Sequence, residues 1–274
     1  MTEHHFETHQ PVRLFTEIGK GSVKVEATDT TETHVAVAGR DAEHVVVRQD
    51  GDQITVVAPK QRSGFFGNDN QLDVAITIPT GSMITIRTGS APIDVTGTVS
   101  GGEVRSGSGD VRIDTTGGPM VVQTGSGDVR VESAHADLRV KSGSGDVLLL
   151  DVTATSAVST GSGDVRVGTN HGPVVVKTGS GDLEVREAGA DVTMSTGSGD
   201  LVVGTARRGR LTAKGASGDI QVGIPAGVPV WTDIATVSGA IRSTLTGAGE
   251  PAAGADHVEV RAKTVSGDVV LTEL

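Results

Sequence analysis

The sequence predicts an all-β chain folded as a parallel β-solenoid, with 18-residue coils of two strands each, preceded by irregular N-terminal coils or a cap. Three observations predict it. The tetrad Gly-Ser-Gly-Asp recurs with its aspartate at Asp110, Asp128, Asp146, Asp164, Asp182 and Asp200, five consecutive steps of eighteen residues. Each period holds two short runs in which apolar and polar residues alternate, the pattern of a strand with one buried face. The same residue types return to the same column coil after coil. A stacked array requires that, whereas the alternative of an antiparallel sandwich or barrel does not.

The elements follow in chain order. Residues 1–80 carry looser strands, "GSVKVEA", "THVAVAG", "HVVVRQ", "QITVVAP" and "LDVAITIP", expected as irregular coils or a capping sheet. Residues 59–71, "PKQRSGFFGNDNQ", interrupt two of them as an exposed loop. Regular repeats occupy 81–245. After each aspartate come pairs such as Val111/Ile113, Val129/Val131, Val147/Leu149 and Val165/Val167. Before the next tetrad come Met120/Val122, Leu138/Val140, Val174/Val176 and Val192/Met194. Thr88, Ser106, Thr124, Ser142, Thr160, Thr178 and Thr196 extend the second inward line, where small hydroxyls would hydrogen-bond in a narrow corner. Pro92 takes the aspartate's place one step before the series. After it, "ASGD", "VSGA" and "VSGD" end at Asp219, Ala240 and Asp268, with longer steps that imply insertions, the last at residues 246–256. Residues 246–274 hold that break and a final coil, so the whole of 1–274 reads as one solenoid domain. No region reads as helix.

Composition narrows the functional classes. The chain of 274 residues contains 39 glycines, about twice ordinary usage, and only 2% aromatics, so its interior should be thin and aliphatic. A net charge of −11 and a pI near 5.1 argue against a nucleic-acid partner. The absence of cysteine excludes disulfides and thiolate metal sites. The N-terminus lacks a basic start followed by an apolar core, and no run approaches 18 apolar residues. A cytoplasmic chain without direct membrane insertion is the expectation, or one associated with the envelope through a partner.

The tetrad has a structural and a chemical reading. Glycine permits positive φ at a corner, so Gly125 and Gly127 and their equivalents would turn the chain between sheets. The aspartate would then cap backbone N–H groups at the turn. The chemical reading is a calcium ladder along Asp110, Asp128, Asp146, Asp164, Asp182 and Asp200. Carboxylates about 4.8 Å apart repel by roughly 0.9 kcal/mol per pair even at water's dielectric, and cations would relieve that. Calcium β-rolls, however, repeat G-G-x-G-x-D-x-U-x, and here aspartate follows glycine directly at one turn per coil. Arg112, Arg130 and Arg166 stand two residues after their aspartates and could lie across the ladder, with Leu148 and Glu184 breaking the column.

Other candidates carry less. His4, His5 and His9 cluster near the N-terminus without an acidic or Cys partner at a recognisable metal spacing, so a disordered or edge-strand tail is expected. His135 and His171 fall in turns opposite the tetrad, and His34, His44 and His257 are scattered. "GSGD" is not a G-x-S-x-G elbow, and no Ser/His/Asp set can be assembled from spacing. A carbohydrate-active β-helix enzyme would need a groove of grouped carboxylates and basic residues, and no catalytic residue or cofactor is assigned. Phe65, Phe66 and Trp231 are aromatic anchors or, more simply, covers for the ends; the parity of Trp231 beside Thr232 and Ile234 points it outward.

The recurring "TGSGDVRV" coils, the opening "IGKGSVKVEATDTTETHVAV" and the ending "VEVRAKTVSGDVVL" resemble the bacterial putative-adhesin β-strand repeat family, a domain of unknown function. The resemblance covers nearly the whole chain. It implies a β-solenoid with a binding or scaffolding role toward a protein or an envelope polymer, and no established catalytic residues. A non-catalytic adhesin-like module is therefore the functional expectation.

Overall fold

The structure is a computed structural model that describes residues 1–59, 71–247 and 256–274. Phe65 and Phe66, and most of the interruptions expected at 59–71 and 246–256, lie outside the described residues. The fold is an all-β solenoid built from parallel ladders. The helical content among the described residues is one 3₁₀ turn, Ala42–His44. Val, Ile and Thr dominate the strands because β-branched side chains are stiff at χ1 and pack well on a pleated surface.

The chain divides into two compact units, residues 1–137 and 138–274. In the first, one sheet runs from neighbour to neighbour as Thr2–Glu7, Glu32–Gly39, Leu72–Pro79, Gly21–Thr28, Ile93–Val99, Val111–Thr116 and Val129–Ala134. Its second sheet runs Val46–Asp50, Gln53–Val57, Arg13–Ile18, Met83–Thr88, Gly101–Ser106 and Met120–Thr124. The five looser strands of the N-terminal region are all present. Thr2–Glu7, Glu32–Gly39 and Val46–Asp50 pair antiparallel, and the rest of the unit is parallel. The sequence pattern had not marked Arg13–Ile18, which pairs in register with Met83–Thr88.

In the second unit one sheet runs Val147–Val152, Val165–Asn170, Leu183–Ala188, Leu201–Ala206, Ile220–Ile224, Val269–Glu273 and Ile241–Ser243. The other runs Leu138–Ser142, Ser156–Thr160, Val174–Thr178, Val192–Thr196, Gly209–Lys214, Val258–Ser266 and Val230–Ser238. The coil nearest the C-terminus is thus inserted between the coil of Gly209–Ile224 and that of Val230–Ser243. This corrects the reading of the long final steps as insertions in a sequential stack. Spatial order departs from chain order there, and the connections must span an extra coil.

The columns expected to face inward do so. Val131, Val140 and Val167 are buried, as are Leu149, Val176 and Val203. Burial alternates strictly along strands such as Leu138–Ser142 and Val174–Thr178. Ser106, Thr124, Ser142, Thr160 and Thr178 complete the inward line and are buried too. The Thr124, Thr160 and Thr178 hydroxyls accept the N–H of Gly127, Gly163 and Gly181, at 3.0, 3.0 and 2.8 Å. These are the corner bonds that the hydroxyl column implied.

The role of the glycines is different from the one expected. None of the tetrad glycines between 107 and 199 has a positive φ. They are required by close approach. A Cβ on Gly127 would lie 2.2 Å from the carbonyl oxygen of Gly109, and one on Gly163 would lie 2.1 Å from that of Gly145. Positive φ appears only in the later tetrads, at Gly218 and Gly267. Gly163→Ala should therefore destabilise the chain by at least about 2 kcal/mol through overpacking against backbone. Ser162→Ala, at an exposed neighbour, should stay within about 0.5 kcal/mol. Urea denaturation midpoints of the two variants check this, and equal midpoints would contradict it.

Candidate functional site

The aspartate column lies where each coil enters its first strand. Asp110 Oδ1 accepts the N–H of Asp128 at 3.0 Å in the first unit. In the second, Asp146 accepts from Asp164 at 2.9 Å, Asp164 from Asp182 at 3.0 Å and Asp182 from Asp200 at 2.8 Å. The pattern survives the irregular steps. Asp200 accepts from Asp219 at 2.7 Å, Asp219 from Asp268 at 2.8 Å and Asp268 from Ala240 at 2.8 Å. The last two bonds follow spatial order, not chain order. Each of these seven carboxylates therefore caps the neighbouring coil, where the sequence had suggested a cap at the turn. The reason is spacing: the next coil's N–H lies one ladder step away, about 4.8 Å in backbone terms, within reach of a short side chain.

Charge along this edge is only partly balanced by arginine. Arg166 approaches Asp146 at 3.6 Å, Asp164 at 3.5 Å and Glu184 at 3.7 Å. Arg130 instead bonds Glu132 on its own strand, and its register partner is Arg112. All three contacts of Arg166 are solvent-exposed and worth little individually.

The histidines separate. Strand alternation puts His4 on the face opposite His5, and His4 stacks on Phe6 with centroids 6.5 Å apart. His5 meets His34, at a centroid distance of 4.3 Å. His135 and His171 sit in turns, the latter 3.8 Å from Asp151. The sequence reading missed His34 as a partner of His5. They are 29 residues apart, and only the antiparallel register joins them.

A second feature escaped the sequence reading. On the outer face of the sheet from Leu138–Ser142 to Val230–Ser238, register aligns Lys141, Ser159, Lys177, Ser195, Lys214, Lys263 and Ala235 in one column. All four lysines are exposed, and none pairs with a carboxylate among the described residues. Lys141, Lys177 and Lys214 follow one another at two ladder steps, about 10 Å, Lys263 lies one step, about 4.8 Å, beyond Lys214, and the column from Lys141 to Lys263 spans about 24 Å. Arg139, Arg210 and Arg261 flank it on the same face. Arg210 and Arg261 clasp Glu259, and the hydrogen bond from Arg210 holds that carboxyl below the usual carboxylate range. Trp231 is outward and 62% exposed on the outermost strand, as its parity implied. The signal available in sequence was Lys at matching places in "RVKSGSGD", "VVKTGSGD", "TAKGASGD" and "RAKTVSGD".

The sequence profile of the Toastrack DUF4097 family matches residues 13–201 and 170–272. No curated protein matches the chain. Among solved structures, the chain is similar to a "putative adhesin" from Bacteroides fragilis at 12% identity and a TM-score of 0.42, covering 100% of this chain and 96% of that one. It is similar to a "putative adhesin" from Parabacteroides merdae at 14% identity and a TM-score of 0.35, covering 98% and 95%. A "putative lipid binding protein" from Parabacteroides distasonis matches at 12% identity and a TM-score of 0.35, covering 100% and 96%.

The bonding of the aspartate column sets an expected outcome. Asp146→Asn keeps an acceptor for the Asp164 N–H and removes one like charge, so it should change stability by less than about 0.5 kcal/mol. Asp146→Ala leaves that N–H without its acceptor and should cost about 1–2 kcal/mol. Calcium added to the metal-free parent chain should leave its melting temperature unchanged, because the column's carboxylates already accept backbone N–H groups. A calcium-induced rise that Asp146→Asn diminishes would instead mark the column as a calcium ladder.

Proposed function

We propose that this chain, which belongs to the Toastrack DUF4097 family, is a non-catalytic, adhesin-like binding module that holds an extended anionic polymer of the cell envelope along its lysine column. The observation that carries the reading is the alignment of Lys141, Lys177, Lys214 and Lys263 on one sheet face. A chain of net charge −11 that aligns four lysines in one straight line has an electrostatic feature fit for a linear anion. The serines between them offer hydroxyl donors at intermediate rungs. The most repeated polar groups are already committed to backbone: the tetrad carboxylates hold neighbouring coils together and the corner hydroxyls fix the turn of their own coil. A five-residue strand is about 17 Å wide, which suits a single thin polymer lying along the stack. A duplex nucleic acid would also bring its phosphates against the aspartate edge round the corner.

Binding of a synthetic poly(glycerol phosphate) chain, followed by fluorescence anisotropy at low and physiological salt, tests the reading. The parent chain should bind it, with affinity falling as salt rises. The double variant Lys177→Glu/Lys214→Glu should lose at least about tenfold in affinity while its melting temperature stays put, since exposed substitutions move stability by about 0.5 kcal/mol or less. Undiminished binding by the double variant, or tighter binding of duplex DNA than of the polyol phosphate, would overturn it.

A further inference from the structure

The antiparallel pairing of Thr2–Glu7 with Glu32–Gly39 sets His5 directly opposite His34, and Glu7 opposite Glu32. Glu3 precedes His5 by two residues and so shares its face of the sheet. One donor atom from each of Glu3, His5 and His34 lies within 4.8 Å of the others. The imidazole planes of His5 and His34 are nearly parallel, 18° apart. His34 Nε2 is shut off from solvent and has no hydrogen-bond partner. A buried ring nitrogen without a partner is costly, and this one faces a cluster with three carboxylates on the same two strands.

We infer that Glu3, His5 and His34 form a binding site for a divalent transition-metal ion of the zinc type. Two imidazoles and one carboxylate are the donor set that such ions take with a fourth position left to water. Calcium and magnesium prefer six or more oxygen donors, which this set does not offer. Two ligands at i and i+2 on one strand and a third directly across provide convergence without any loop. Stacked rings aim their lone pairs side by side, so His5 must swing about its side-chain bonds for both nitrogens to meet one ion. His5 is exposed on an edge strand and has room to do so. Glu7 and Glu32 lie directly opposite one another beside the histidines, an arrangement of like charges that is unfavourable alone and favours a cation nearby. The ion would fasten the outermost strand of the first unit's sheet to its neighbour.

Titration of the untagged full chain with Co²⁺, followed by its visible absorption bands, and competition by Zn²⁺ test the inference. One equivalent should bind, and Zn²⁺ should displace it. His5→Ala, at an exposed edge position that leaves the core untouched, should weaken Co²⁺ binding more than about a hundredfold, beyond the 10–100-fold that merely supporting groups contribute. His34→Ala should do the same, and Glu3→Gln should weaken it roughly tenfold, whereas His9→Ala should not change it. Zn²⁺ should also raise the melting temperature of the parent chain and not that of His5→Ala. Absence of Co²⁺ bands in the parent chain, or parent-like affinity in a folded His5→Ala chain, overturns the site.

Discussion

At each tetrad the backbone crosses from one sheet to the other while pressed against the carbonyl groups of the adjacent coil. That approach fixes almost everything else about the repeat. The first glycine donates its N–H to the first glycine of the preceding coil, as Gly125 does to Gly107 and Gly179 to Gly161. The second glycine donates to the corner hydroxyl of its own coil at Ser106, Thr124, Thr160 and Thr178, while Ser142 donates to the Gly145 carbonyl, and the aspartate N–H donates to the preceding aspartate. A buried corner with its amides unpaired would cost a few kilocalories per mole for each. The tetrad satisfies them with the smallest side chains able to do so. Glycine is demanded by the 2.0 to 2.2 Å left for a Cβ at Gly127, Gly163 and Gly181, threonine or serine by the need for one inward acceptor, and aspartate by the reach across a single ladder step.

Once the corners are committed to structure, the outer faces are where one coil can differ from the next. The inward columns stay mostly Val, Ile, Leu or Met, with Ser156, Ala213 and Ala262 at single rungs, because both sheets share one thin interior, in which Leu149, Val176 and Met194 are all buried. The outward positions have no such constraint. In the second unit one outer face is basic along Lys141, Lys177, Lys214 and Lys263, while the corner carries the carboxylates. Ladder pairing turns an 18-residue period in sequence into a straight line of charge, with a pitch set by backbone geometry and not by side-chain packing.

The eighteen-residue period and the two alternating runs made the coil legible, because each is a local consequence of turn chemistry and strand parity. The burial of Val131, Val140 and Val167 follows directly from that parity. What the period could not convey was anything set by the order of coils in space. Arg13–Ile18 lies beside Met83–Thr88, seventy residues away, and the Val258–Ser266 strand lies inside Val230–Ser238. The pairing of His5 with His34 was hidden for the same reason. The glycines were legible as necessary but not why, since a residue type that serves both positive φ and close approach reads identically in sequence.

Coil order also bears on how the ends resist fraying. In a strictly sequential stack the terminal coil is held by one neighbour, and it can peel away by breaking a single pair of ladders. Here the strands Val258–Ser266 and Val269–Glu273 are gripped on both sides, and Val260, Ala262 and Leu271 are fully buried. The outermost coil is then an internal stretch of chain, and it carries the exposed Trp231, Val237 and Ile241. The first unit uses the same device. Arg13–Ile18 and Gly21–Thr28 lie between the coil of Met83–Val99 and that of Gln53–Pro79. Antiparallel strands then extend its sheets, with Thr2–Glu7 outermost in one and Val46–Asp50 in the other. Loosening the coil of Val258–Glu273 or that of Arg13–Thr28 therefore requires parting ladders on two sides at once, whereas Thr2–Glu7 is held by Glu32–Gly39 alone among the described residues, so the extra loop length spent on crossing over a coil is returned as cooperativity at those two coils.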